Sequence, residues 1–198
     1  MELFVATNNP HKLDEIRSAL PGINVRAPAD IGLVFDHPET ADTFAGNSFG
    51  KAMALWTMVR QPVLADDSGL CVDALGGRPG VLSARYGALP DGSEAPSGIR
   101  NRLLLAEMEG VTDRKCRFVC CMTLVMSPDR FLVVQETCEG ELLGEERGNG
   151  GFGYDPIVWL PSLGCSVAEL DQNEKNRISH RGRALARLVP AIEAIPVI

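Results

Sequence analysis

The opening residues constrain this chain more than any other stretch. Glu2 to Ala6 is an apolar run that reads as a buried strand. Polar Thr7-Asn8-Asn9 follows, then Pro10, a residue suited to the first turn of a helix. Leu13, Ile16, Arg17 and Leu20 carry that helix until Pro21-Gly22 stops it, and Ile23 to Arg26 reads as a second strand. Strand, loop, helix and strand in that order are the mark of an α/β fold.

The remainder is consistent with that start. Ala29 to Thr43 is acidic and irregular. From Phe44 to Val59 the pattern is helical, with Ala52, Leu55, Trp56 and Val59 on one face and Gln61-Pro62 at its end. Val63-Leu64-Ala65 predicts a short strand running directly into Asp66-Asp67-Ser68-Gly69. Gly76 to Gly98 is a long loop region rich in Gly, Pro and Ser, and Ile99 to Met108 predicts a helix. Cys116 to Met126 and Phe131 to Cys138 flank Ser127-Pro128-Asp129 and predict an antiparallel hairpin. A last periodic segment, Ile178 to Ile192, ends near Pro190. Parallel and antiparallel signals together predict an α/β sheet with a β-rich second lobe.

Composition narrows the partners. With 198 residues the chain suits one domain, or one domain of two lobes. A formal net charge of -7 argues against a broad nucleic-acid footprint, which is usually basic, and leaves a small anionic substrate open. The 6 cysteines form no Cys-x-x-Cys pair and read as reduced, mostly buried side chains. The N-terminus lacks a basic, then long apolar, leader, and no run approaches the roughly 20 apolar residues of a membrane helix. The expectation is a cytoplasmic enzyme.

Four clusters carry chemistry. Thr7-Asn8-Asn9-Pro10-His11-Lys12 leaves a strand and enters a helix, where free backbone N–H groups favour an anion. Asn8 and Asn9 tolerate left-handed backbone and donate hydrogen bonds, and Lys12 adds a point charge. Asn47 and Lys51 share a helix face downstream of Glu39. Asp66 and Asp67 stand at a strand end, where ligand sites of open α/β sheets lie. Neighbours in a strand point to opposite faces, so only one would ordinarily face the cleft, and a tight turn at Gly69 could bring both close. Carboxylates without a cysteine or histidine cluster suit a hard cation such as Mg2+. Last, Gly151-Phe152-Gly153-Tyr154-Asp155-Pro156 offers flat faces for a base, while Lys175, His180 and Arg181 add donors for an oxygen on a heterocycle. The pieces compose a reaction: cations hold a polyphosphate, carboxylates hold magnesium, and a remaining carboxylate takes a proton from water.

These motifs, in this order and nearly end to end, resemble the inosine triphosphate pyrophosphatase family of noncanonical purine nucleoside triphosphatases. The marks are Thr7 to Lys12, Glu39-Thr40, Asn47 with Lys51, Ala65 to Leu70, Gly76 to Gly80, Ser83 to Tyr86, Gly150 to Pro156, Glu174-Lys175-Asn176 and Ser179 to Gly182. The resemblance implies hydrolysis of ITP, dITP and XTP to monophosphate and pyrophosphate, by water attacking the α-phosphorus. It implies an elongated mixed α/β sheet whose two lobes flank a central nucleotide-binding cleft, in a homodimer. Asp67 takes the place of proton acceptor and metal ligand, with Asp66 as the alternative catalytic carboxylate and Glu39 as the second metal ligand. Thr7, Asn8, Asn9, Pro10, His11, Lys12, Lys51 and Ser68 would hold phosphates. Phe152, Gly153, Tyr154, Asp155, Lys175, His180 and Arg181 would hold base and sugar. Asn8 departs from a common glycine, a change that positive φ at asparagine would accommodate. From Asp91 to Arg102 the match is looser.

Donors at Lys175, His180 or Arg181 would satisfy the 6-oxygen of hypoxanthine or xanthine and clash with the amine of adenine. Two other readings compete: a Maf-like pyrophosphatase for other modified nucleotides, and a nucleotide-binding regulatory module without turnover. The base-reading segment argues against the first. The paired carboxylates beside a phosphate cradle argue against the second.

Overall fold

A computed structural model describes residues 2–89 and 93–195. Asp91, where the looser match begins, lies outside the described residues. The opening strand–helix–strand forms as β1 (Glu2–Val5), α1 (Pro10–Ala19) and β2 (Asn24–Arg26). β2 lies parallel to β1, with Leu3 opposite Val25. On its other side β1 pairs in parallel with β3 (Val63–Val72), Phe4 opposite Val63 and Val5 opposite Leu64. Parallel neighbours need a long crossover, and α2 (Phe44–Val59) lies in that connection. The Thr43 side chain caps its start and Arg60, in left-handed backbone, closes its end.

Downstream come α3 (Ser97–Glu107), β4 (Lys115–Ser127), β5 (Arg130–Leu142), β6 (Val158–Leu160), β7 (Cys165–Ser166), α4 (Gln172–Ile178) and α5 (His180–Glu193). One 7-stranded sheet runs β2-β1-β3-β4-β5-β6-β7. β4 and β5 are the expected hairpin, and the β5–β6 and β6–β7 pairs are antiparallel. The chain divides into two compact units, residues 1–67, 120–136 and 180–198 in the first, 68–119 and 137–179 in the second.

The first unit shows why its site forms. Side chains alternate across a strand, so β1 and β3 feed two cores. Leu3, Val5 and Leu64 pack with Ile16 of α1 and Leu185 and Leu188 of α5. Phe4, Val63 and Ala65 pack with Ala52 and Leu55 of α2. Both faces of the sheet are thus covered, as parallel strands require. The second unit has its own core of Leu70, Val72, Leu104, Phe118, Tyr154, Ile157 and Val158.

Two expectations are corrected. The strand expected to stop at Ala65 continues unbroken to Val72, with no turn at Gly69. The last periodic segment is α5, which starts at His180 rather than Ile178 because Ser179 is extended (φ −66°, ψ 157°) after the end of α4. Pro190 lies inside α5 rather than ending it. It falls in the last turn, where one lost N–H costs little continuity, and its carbonyl still accepts from the Ala194 N–H at 3.2 Å.

Candidate active site

The turn into α1 is built by side chains. Asn9 Oδ1 accepts from the N–H groups of His11 at 3.0 Å and Lys12 at 3.3 Å, an N-cap with Pro10 in the first turn. Thr7 Oγ1 accepts from the Asn9 N–H at 3.1 Å. Two of the amides expected to cradle an anion are therefore held by the cap. Neither Asn8 nor Asn9 uses the left-handed backbone that asparagine tolerates: Arg60 is the positive-φ non-glycine among the described residues, and Asn9 has φ −88°. Asn8 works through its side chain instead, donating from Nδ2 to the Phe35 carbonyl at 2.9 Å and tying down the acidic loop. Pro10 and His11 are exposed, and the Lys12 ammonium leans inward.

The continuous β3 decides the fate of the two aspartates. Asp66 follows Leu64 onto the α1/α5 face, and Asp67 follows Ala65 onto the α2 face. Asp66 Oδ2 lies 3.1 Å from Lys12 Nζ and accepts from Arg181 Nη2 at 2.9 Å. Arg181 Nη1 donates to Glu15 Oε2 at 2.5 Å, so the guanidinium joins two buried carboxylates. Burial alone would raise the Asp66 carboxyl, but Lys12, Arg181 and Lys51 outweigh it and hold the group well below its ordinary value. Arg181 is 2% exposed, and its guanidinium bridges the Glu15 and Asp66 carboxylates. His180, the first residue of α5, is also buried in this unit.

Asp67 has the opposite electrostatics. Its Oδ2 accepts from Asn47 Nδ2 at 2.9 Å. Burial raises its carboxyl, Glu39 adds repulsion, and Lys51 and Asn47 only partly oppose them, so the group sits above its ordinary value. The Glu39 carboxylate is bound by Lys51 Nζ. Burial would lower Lys51, yet Asp66, Glu39 and Asp67 together raise it. Asn47 also fixes the acidic loop, its Oδ1 accepting from the Ala41 N–H at 2.9 Å. Among the described residues no cluster of three or more His, Cys, Asp or Glu side chains could hold a metal by itself. Glu39 and Asp67 still fit a magnesium ion that takes its other ligands from phosphate and water. They are hard oxygen donors that repel each other, and Mg2+ is usually bound through one or two carboxylates.

In the second unit the Gly151–Asp155 turn closes on one carboxylate. Asp155 Oδ2 accepts from the Phe152 N–H at 2.8 Å and from Lys175 Nζ at 2.7 Å. Lys175 also sits over the Phe152 ring, 4.5 Å from its centroid. A Cβ on Gly151 would overlap that carboxylate, and φ of +67° there favours glycine as well. Tyr154 OH donates to the Ser83 carbonyl at 2.8 Å, and burial pushes its phenol up. Ser83 Oγ accepts from the Leu70 N–H at 2.8 Å. Gly69 permits that approach, since a Cβ there would overlap Gly80 O and Ser83 Oγ. Ser68 is half-buried at the head of this stretch.

A model of the Ham1 family matches residues 3–191. The chain belongs to the Ham1 family. A protein of Treponema denticola named dITP/XTP pyrophosphatase is 48% identical over 93% of this chain and 95% of its own. The Ham1 protein structure from Staphylococcus aureus superposes with a TM-score of 0.86 at 34% identity, covering 99% of this chain and 100% of that one. The HAM1 protein of Coxiella burnetii gives 0.87 at 37%, covering 98% of each. The family resemblance read from the motifs is borne out.

Within this Ham1 chain the residues expected to act together fall in two groups. Thr7 to Lys12, Glu39, Lys51, Asp66, Asp67, His180 and Arg181 belong to the first unit. Ser68, Phe152 to Asp155 and Lys175 belong to the second. Three residues outside the expected set matter. Glu15 has no spacing signal, being 166 residues from Arg181. Asn47 was visible as sharing the Lys51 face. Ser83 was visible only as a member of its motif.

Proposed function

We propose that this chain hydrolyses the noncanonical purine nucleoside triphosphates ITP, dITP and XTP to nucleoside monophosphate and pyrophosphate. The observation that carries the proposal is the split of Asp66 and Asp67 to opposite faces of β3 with opposed electrostatics. A carboxylate held ionised by three cations is a poor base and a good organiser. A buried carboxylate with a raised pKa is the better base. Asp67 accordingly takes the proton from the water that attacks the α-phosphorus. Asp66 orients Lys12, whose charge faces the phosphates with that of Lys51. Glu39 and Asp67 would hold Mg2+, whose charge neutralises the phosphate oxygens and helps pyrophosphate leave. In the second unit Phe152 gives the base a stacking face and Lys175 a donor. Arg181 holds Asp66 in place.

The six free cysteines suit a reducing cytoplasm, and the family resemblance carries the homodimer. No described helix is long and apolar enough to cross a membrane. Product analysis on a nucleotide panel, with magnesium and with chelator, tests the proposal. Pyrophosphate and monophosphate are expected from ITP, dITP and XTP only with the metal. Release of single phosphate with a diphosphate left behind would move the attack to the γ-position and overturn it.

A further inference from the structure

The turn proposed to meet the base is anchored residue by residue, and one anchor has a feature that stability alone does not explain. The Phe152 N–H is held by Asp155 and the Tyr154 hydroxyl by the Ser83 carbonyl. The Gly153 carbonyl is held by Asn101 of α3, whose Nδ2 donates to it at 3.2 Å and to Glu146 Oε1 at 2.8 Å. Both partners are acceptors, so the amide orientation is set. Asn101 is 1% exposed, and its Oδ1 is buried with no hydrogen-bond partner among the described residues. A buried acceptor left unpaired destabilises the fold, so the Asn101 amide is kept for what its Nδ2 holds rather than for its Oδ1. Leu104, one turn on, is fully buried in the same unit, so the helix already packs leucine there.

We infer that Asn101 is a positioning residue for base selection: its Nδ2 fixes the Gly153 carbonyl and so sets the pitch of the Phe152 face on which the base lies. This rests on the pyrophosphatase reading above. Asn101 touches neither base nor phosphate in this account. Its loss leaves the cations and carboxylates of the first unit untouched.

Steady-state kinetics on ITP and ATP, inhibition by inorganic pyrophosphate and thermal melting are measured for wild type and Asn101→Leu. The expected result is a melting temperature below wild type, since the Gly153 carbonyl and Glu146 lose their donor, with KM for ITP up about tenfold, a fall in the ITP-to-ATP ratio of kcat/KM by about the same factor, and unchanged pyrophosphate inhibition. A purely structural role would lower kcat for ITP and ATP alike, and that pattern would overturn the inference. An unchanged ratio would do so too. The double variant Asn101→Asp/Glu146→Gln restores the contact between those two positions with donor and acceptor exchanged, yet leaves Gly153 without its donor. Its ITP selectivity is expected to stay low. Full recovery would show that the Gly153 bond is not the one that matters. If wild type itself releases no pyrophosphate from any nucleotide, the functional reading fails rather than the role of Asn101.

Discussion

Two adjacent aspartates with opposite fates are the most testable feature at the scale of single residues. Asp67→Asn should lower kcat by ~10²–10⁴-fold, the range of a lost general base. The wild-type rate should fall in acid as Asp67, raised by burial in the metal-free protein, takes up its proton, and the variant should lose that limb. The same shift has a stability sign. A carboxyl raised in the folded state favours folding only while protonated, and that contribution is lost as pH rises through the folded value. In chelator at neutral pH Asp67→Asn should therefore melt higher than wild type. Asp66 runs the other way. Its folded value is depressed, so its stabilisation is complete above 3.8 and is lost as pH falls from there through the folded value. Asp66→Asn should cost on the order of 3 kcal/mol at pH 7 by denaturant titration, because Arg181 loses one of two buried partners, and the gap should close in acid.

At the scale of elements the decisive one is β3. Its unbroken run sends Asp66 toward α1 and α5 and Asp67 toward α2, and each helix presents a residue to meet it. Just beyond, Gly69 lets the Gly80–Arg85 segment close on the strand so that Ser83 binds the Leu70 N–H and receives Tyr154. Gly69→Ala should cost about 1–3 kcal/mol, because the methyl would meet a backbone carbonyl that cannot swing away. Urea unfolding checks the cost, and a rise in KM for ITP checks that the base-contacting turn moves with it.

At the scale of the whole molecule the testable properties are metal binding and mass. Added Mg2+ should raise the melting temperature of wild type and leave that of Glu39→Gln unchanged, since a ligand stabilises only the state that binds it. Light scattering should give a particle of about twice the 21.3 kDa chain, the mass of the proposed homodimer. A net charge of −7 should keep added nucleic acid from competing with ITP in the same assay.

Local structure was legible because it depends on neighbours in the chain. Polar residues and Pro10 mark the start of α1, the apolar spacing of Phe44 to Val59 marks α2, and Ser127-Pro128-Asp129 marks the hairpin turn. The motif order also carried the family. Tertiary structure alone decided what these residues touch. Whether β3 stops at Ala65 or runs on depends on packing of Leu70 and Val72 in a core built from distant segments, and no local signal at Gly69 reveals it. The same holds for Arg181, placed by the α5 core against Glu15, and for Asn101, placed by α3 under Gly153. Periodicity and caps act over a helical turn, whereas a buried charge finds its partner only where strand register and helix packing bring it.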